Sequence, residues 1–118
     1  MSGERSDPVP AARAARMTQN EVFFREVNEQ VAALNVLGED LATFGVVCEC
    51  GQQSCENVIH VGRSVYEAVR AQSDRFIVAS GHVLPEVETV VEQHAGFVVV
   101  DKREGIPEEI AKQTDPRA

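Results

Sequence analysis

The sequence predicts an α+β fold: an N-terminal amphipathic helix and one short helix on a small, mainly antiparallel sheet interrupted by a cysteine-bearing loop. Three observations carry this. Val22, Phe23, Val27, Val31 and Leu34 recur at helical spacing. Five short runs rich in β-branched residues follow, with short connections. All three cysteines of the chain, Cys48, Cys50 and Cys55, fall within eight positions, from the end of the first run into the connection that follows it.

Size and composition set the frame. A chain of 118 residues is one domain with a modest core. Hydrophobic residues make up 43% and charged residues 25%, which is globular rather than disordered composition. Aromatic residues are only 5% and Trp is absent, so the core must rest on Val, Ile, Leu and Phe. Nineteen acidic against eleven basic residues give a net charge of −8. Such a surface repels a nucleic-acid backbone, and only Arg5, Arg13 and Arg16 gather near one place, so nucleic-acid binding is disfavoured. No apolar run approaches the ~20 residues of a membrane span, and residues 1–16 lack the apolar core of a secretory signal. An odd number of cysteines cannot pair fully within one chain. The expected location is therefore a reducing cytoplasm, where clustered cysteines more often hold metal than form disulfides.

Taken in order, residues 1–17 read as a disordered arm, with Gly3, Pro8 and Pro10 and little apolar content. Thr18 or Asn20 can cap the first helix and Glu21 gives it a negative first turn. Its polar face is Arg25, Glu26, Asn28, Glu29 and Gln30, and it should end near Leu37-Gly38. The apolar stripe serves either to dock the helix on the core or to bind a partner or a second copy. Strands follow at Phe44 to Cys48, Asn57 to Val61 and Arg75 to Ala79. Ser64 and Glu67 have the capping-box spacing for a helix from Val65 to about Gln72, with Val65, Tyr66 and Val69 inward. Glu86 to His94 fits either a helix after Pro85 or a strand. Its β-branched content and the turn at His94-Ala95-Gly96 favour a hairpin of Val87–Gln93 with Phe97–Lys102. The domain runs over 18–103, and 104–118 form a tail with a possible turn of helix at Glu108 to Lys112.

Cys48 and Cys50 lie two apart, so on an extended strand their side chains share one side. Gly51 permits a turn that brings Cys55 back over them. Three thiolates this close suit a soft divalent metal, most often zinc, with a fourth ligand from elsewhere. The connection is then a zinc-binding loop. Candidates for the fourth ligand are His60, on the returning strand, His94, at a turn tip, and His82, which follows Gly81 at the break after the third strand. Plain packing of buried thiols and a reactive redox cluster are the competing readings of the cysteines.

The run Phe24-Arg25-Glu26-Val27-Asn28-Glu29, with Cys48-Glu49-Cys50-Gly51 and Cys55, Tyr66-Glu67-Ala68-Val69-Arg70, Arg75-Phe76, Gly81-His82, Glu86-Val87-Glu88 and Val98-Val99-Val100-Asp101-Lys102, resembles a group of small uncharacterised actinobacterial proteins over residues 20 to 102. The resemblance brings no activity with it. It does imply that the histidine of Gly-His belongs with the cysteines, which favours Cys48, Cys50, Cys55 and His82 as the ligand set. Many of that group carry an acidic residue after the histidine, where this chain has Val83, so any partner orienting the imidazole must come from elsewhere.

Three cysteines and one histidine fill a tetrahedral site and leave no position for water or substrate. The sequence offers no convincing nucleophile–base pair. Glu49 lies between two ligands and would serve as a base, but an exposed loop glutamate explains it as well. The expected function is thus a non-catalytic zinc-binding interaction or regulatory module whose partner is a protein. A zinc-thiolate redox sensor is the alternative, and a small zinc-dependent hydrolase a more distant one.

Overall fold

The computed structural model describes residues 8–38, 43–52 and 54–117. The order of elements is helix α1 (Pro8–Gly38), strands β1 (Thr43–Val47) and β2 (Val58–Gly62), helix α2 (Arg63–Arg70), strands β3 (Arg75–Ala79), β4 (Glu88–His94) and β5 (Phe97–Lys102), and helix α3 (Ile106–Gln113). The α+β class, the long N-terminal helix, the antiparallel pairing and the β4–β5 hairpin are as the sequence predicts.

Several expectations need correction. The helix expected from Thr18 begins at Pro8, so residues 8–17 are helical rather than an arm, and residues 1–7 lie outside the described residues. The strands form two sheets, β1-β2 and β3-β5-β4, not one. Ser64 does not cap α2. The cap position is Gly62, without a side-chain hydrogen bond. The expected tail carries α3, whose Ala111 is wholly buried.

The largest correction concerns the face that α1 buries. The expected stripe docks only in part: Val22 and Val31 pack against the core, but Phe23 and Leu34 are 63% and 68% exposed. The fully buried positions are Thr18, Glu21, Arg25 and Asn28, a polar stripe at the same helical period, continued by apolar Ala32. Polar groups go inside only where partners wait for them. Arg25 donates to the carbonyls of Ser73 (2.6 Å) and Ala111 (2.9 Å) and to Thr114 Oγ1 (3.1 Å), and stacks over Phe76. These bonds tie α1 to the turn between α2 and β3 and to α3. Asn28 pairs with β1 as a neighbouring strand would. It accepts from Val47 N and donates to Val47 O, both at 2.8 Å. Lys102 of β5 donates to both Glu21 and Glu88, all three side chains being fully buried.

The apolar core fills the space beneath. Phe76, Ile77, Val99 and Val100 of the three-stranded sheet are completely buried, as is Tyr66 of α2. β4 is an edge strand. A register shift between Val90 and Glu92 and a largely exposed outer run keep it from offering a flat edge.

Candidate metal centre

The segment after β1 does not stop at the strand end. Cys48 N donates to Asn57 O (3.1 Å), holding the pairing with the β2 side, and Glu49 N donates to Ile77 O (2.8 Å), attaching the chain to β3. On that edge of β3 the acceptors are side chains. Ile77 N donates to Glu49 Oε1 at 2.9 Å, and Ala79 N donates to Cys48 Sγ at 3.1 Å. Residues 48–50 therefore join the two sheets. Gly51, at φ 79°, then turns the chain, and a Cβ there would lie 2.9 Å from Asn20 Cβ, so only glycine lets the loop lie this close to α1. Cys55 returns through a turn closed by Cys55 N to Gln52 O, at 3.0 Å.

His82 arrives from the other sheet. β3 ends in a turn closed by His82 N to Ala79 O (3.0 Å), with Gly81 at φ 87°. That turn aims the imidazole at the loop. His82 Nδ1 lies 3.5 Å from Cys55 Sγ and 3.7 Å from Cys48 Sγ. The ligand atoms of Cys48, Cys50, Cys55 and His82 all lie within 4.8 Å of one another. The structure thus brings together the four residues singled out from the sequence, in a constellation that can hold a metal ion. His60 and His94 are elsewhere. His60 is exposed on β2, and His94 stacks on Phe97 and contacts Glu92.

The other ring nitrogen of His82, Nε2, meets the side-chain amide of Asn57 at 3.4 Å. With Val83 after the histidine, the side chain that meets the far ring nitrogen comes from elsewhere, as expected, and it is Asn57. No sequence signal marks it, because it reaches the ring from the far side of the cysteine loop.

Burial dominates the electrostatics. It pushes the Cys48 thiol up to about 12, against the pull of the Ala79 and Cys50 backbone, and it raises Cys50 as well. Sulfurs so buried become thiolates when a cation neutralises them. Cys55 is half-buried, and the other two are buried.

Glu49, between the first two cysteines, is no exposed loop residue. Its side chain is fully buried. Arg70 grips it in bidentate fashion at 2.9 and 3.0 Å, and Asn28 donates at 2.7 Å. With Ile77 N, every lone-pair direction of the carboxylate is used. Burial works against the Arg70 guanidinium, but the charge and hydrogen bonds of Glu49 win and raise its pKa. A carboxylate held this way positions the loop and is not free to move a proton. The signal was present in the sequence, since the alternation that puts Cys48 and Cys50 on one side puts Glu49 on the other.

No known protein family, curated protein or solved structure matches the chain. Among the described residues, no helix is long and apolar enough to cross a membrane.

Proposed function

We propose that this is a non-catalytic zinc-binding protein, a small cytoplasmic module that acts by binding or regulating another protein, with zinc on Cys48, Cys50, Cys55 and His82. The convergence of these four side chains carries the reading. Zinc–sulfur bonds of about 2.3 Å and zinc–nitrogen bonds of about 2.0 Å give a tetrahedron with sulfur–nitrogen edges of about 3.5 Å. The two sulfur–nitrogen distances of 3.5 and 3.7 Å fit that edge. Three soft sulfurs and an imidazole favour zinc over hard cations. With Nδ1 as ligand, Nε2 carries the proton and donates to the Asn57 amide turned to present Oδ1. The full coordination set and the immobilised Glu49 support a structural rather than a hydrolytic role. The half-burial of Cys55 favours a second reading, a zinc-thiolate redox sensor in which oxidation starts at that sulfur.

Elemental analysis of protein purified without added metal tests this. One zinc per chain is expected, lost together with a large drop in Tm in Cys50→Ser and His82→Ala and unchanged in His94→Ala. Structural zinc is worth on the order of 10 kcal/mol of apparent binding energy, much of it acting as folding energy, so a strong chelator should mimic Cys50→Ser. Wild-type zinc content and Tm in His82→Ala would remove His82 from the set. Zinc-free protein with Cys50→Ser as stable as wild type would end the metal reading.

A further inference from the structure

The strand edges of the molecule differ in how they are closed. On β3 the edge away from β5 is taken by Cys48 Sγ, the Glu49 carboxylate and Glu49 N. β1 packs along α1, where Asn28 takes the outward N–H and C=O of Val47. β4 is broken up by its register shift and by Glu92. β2 has none of these devices. Its residues, Val58-Ile59-His60-Val61-Gly62, include no Lys, Arg, Asp, Glu or Pro, and it pairs with β1 without a bulge.

The backbone of β2 alternates. Val47 turns its N–H and C=O away from β2, so the Val47–Val58 pair is not hydrogen-bonded, and neither is Gly45–His60 two positions on. Val58 and His60 therefore point their N–H and C=O groups away from β1, and among the described residues no backbone group bonds them there. Their side chains are exposed, Val58 by 60%, whereas Ile59 and Val61 beside them are buried. A row of donors and acceptors that repeats every second residue is complementary to another extended backbone.

We infer that β2 binds an extended segment of another protein as an added antiparallel strand, with a basic residue of that segment beside Glu56. Charge chooses the occupant. Glu56, two positions before Val58, is exposed and forms no ion pair among the described residues. A second copy would bring another net charge of −8 to this edge, and its own β2 has no cation to set against Glu56. Arg63, the first cation after β2, is already held by Glu67 and the Phe44 ring. In an antiparallel addition, the residue beside Glu56 lies two positions C-terminal to the one beside Val58, on the same face. The segment is thus apolar beside Val58 and basic two residues later. The inference rests on the reading of this chain as a protein-binding module and names what it binds, and it makes no use of the metal.

An amide-resolved NMR titration with a capped six-residue peptide, threonine alternating with valine and lysine at its C-terminal end, tests the inference. Zinc content and Tm are followed on the same samples, so failure of the metal reading shows separately. The amides of Val58 and His60 should shift saturably and exchange more slowly with solvent. His60→Pro removes an outward N–H and no bond of the fold, a change an edge strand accepts, so it should abolish these shifts at unchanged Tm. Wild type should favour the lysine peptide over one ending in glutamate by about two- to fivefold, the worth of a surface ion pair, and Glu56→Lys should reverse that ratio. Amides of Val58 and His60 that stay in place at millimolar peptide overturn the inference. So does a His60→Pro variant that binds like wild type, or a Glu56→Lys variant that still prefers lysine. Concentration-dependent shifts of the same amides without peptide would put a second copy on this edge and overturn it too.

Discussion

Two clusters of buried charge hold α1 to the rest of the molecule, and they are built to different standards. In the Glu49 cluster one carboxylate faces one guanidinium, and Asn28 and Ile77 N fill the remaining lone pairs. In the Lys102 cluster one amine serves two carboxyl groups, Glu21 and Glu88, so the fully ionised site would carry one negative charge in excess. Glu21 Oε2 and the neighbouring Thr18 Oγ1 have no partner. Burial pushes Glu88 up to about 7, opposed by the Leu84 N–H, and brings Lys102 down to about 7. A buried charge is tolerated when neutralised and fully hydrogen-bonded, and is costly otherwise. The matched cluster stands beside the cysteines, where the loop must be held in place. The mismatched one lies on the three-stranded sheet, with Glu21 also against Gly51 at the far end of the loop.

The contrast breaks or sharpens with single substitutions. Glu49→Gln keeps the shape but leaves Arg70 buried without its counter-charge. It should cost about 3–5 kcal/mol and release the 48–50 segment from β3, so metal content should fall with stability. Urea unfolding and metal analysis on the same samples check both. A loss under about 1 kcal/mol would mean that the cluster does not frame the site. Glu21→Gln at the other cluster keeps an acceptor for Lys102 and removes the excess charge. Its stability should stay within about 1 kcal/mol of wild type or rise, with metal content unchanged. A large loss there would show that the two clusters are equivalent after all.

This difference also explains what was legible in the sequence. The strands were, because Arg75–Ala79 and Phe97–Lys102 bury β-branched residues and have no other use for them. The cysteine loop was, because its residue types are rare and close together. The way α1 docks was not. Periodicity located the apolar residues of the helix and assumed that all of them face inward, as Val22 and Val31 do and Phe23 and Leu34 do not, whereas Arg25 and Asn28 face inward because carbonyls and a carboxylate meet them. Those partners lie 19 to 86 positions away along the chain, beyond any local pattern. The polar residues at 18, 21, 25 and 28 did share one face, and an opposite-charge pair on it, Glu21 and Arg25, was a signal available to a reader who weighed polar periodicity equally. The split into two sheets left no mark, since it depends on Cys48 and Glu49 side chains replacing a strand at the edge of β3.

The smallest effect is expected at the C-terminal end, where a third group of charges lies at the surface. Arg117 bonds Glu29 at 2.9 Å and Glu67 at 2.6 Å, drawing the segment after α3 onto α1 and α2. Its hydrogen bond and charge hold the Glu67 carboxyl below the usual carboxylate range. A depressed carboxylate pKa stabilises the fold above its unfolded value of about 4.3, and that contribution disappears as pH falls through the lower, folded value. Glu67 is 43% exposed, so solvent screens the pair and its worth is under about 1 kcal/mol. Arg117→Ala should therefore show a small deficit in urea stability at neutral pH, and the two stability curves should converge on the acid side as Glu67 protonates. High salt should shrink the same deficit. A deficit equal at neutral and acid pH and indifferent to salt would show that Arg117 works through packing of its aliphatic stem, and not through its charge.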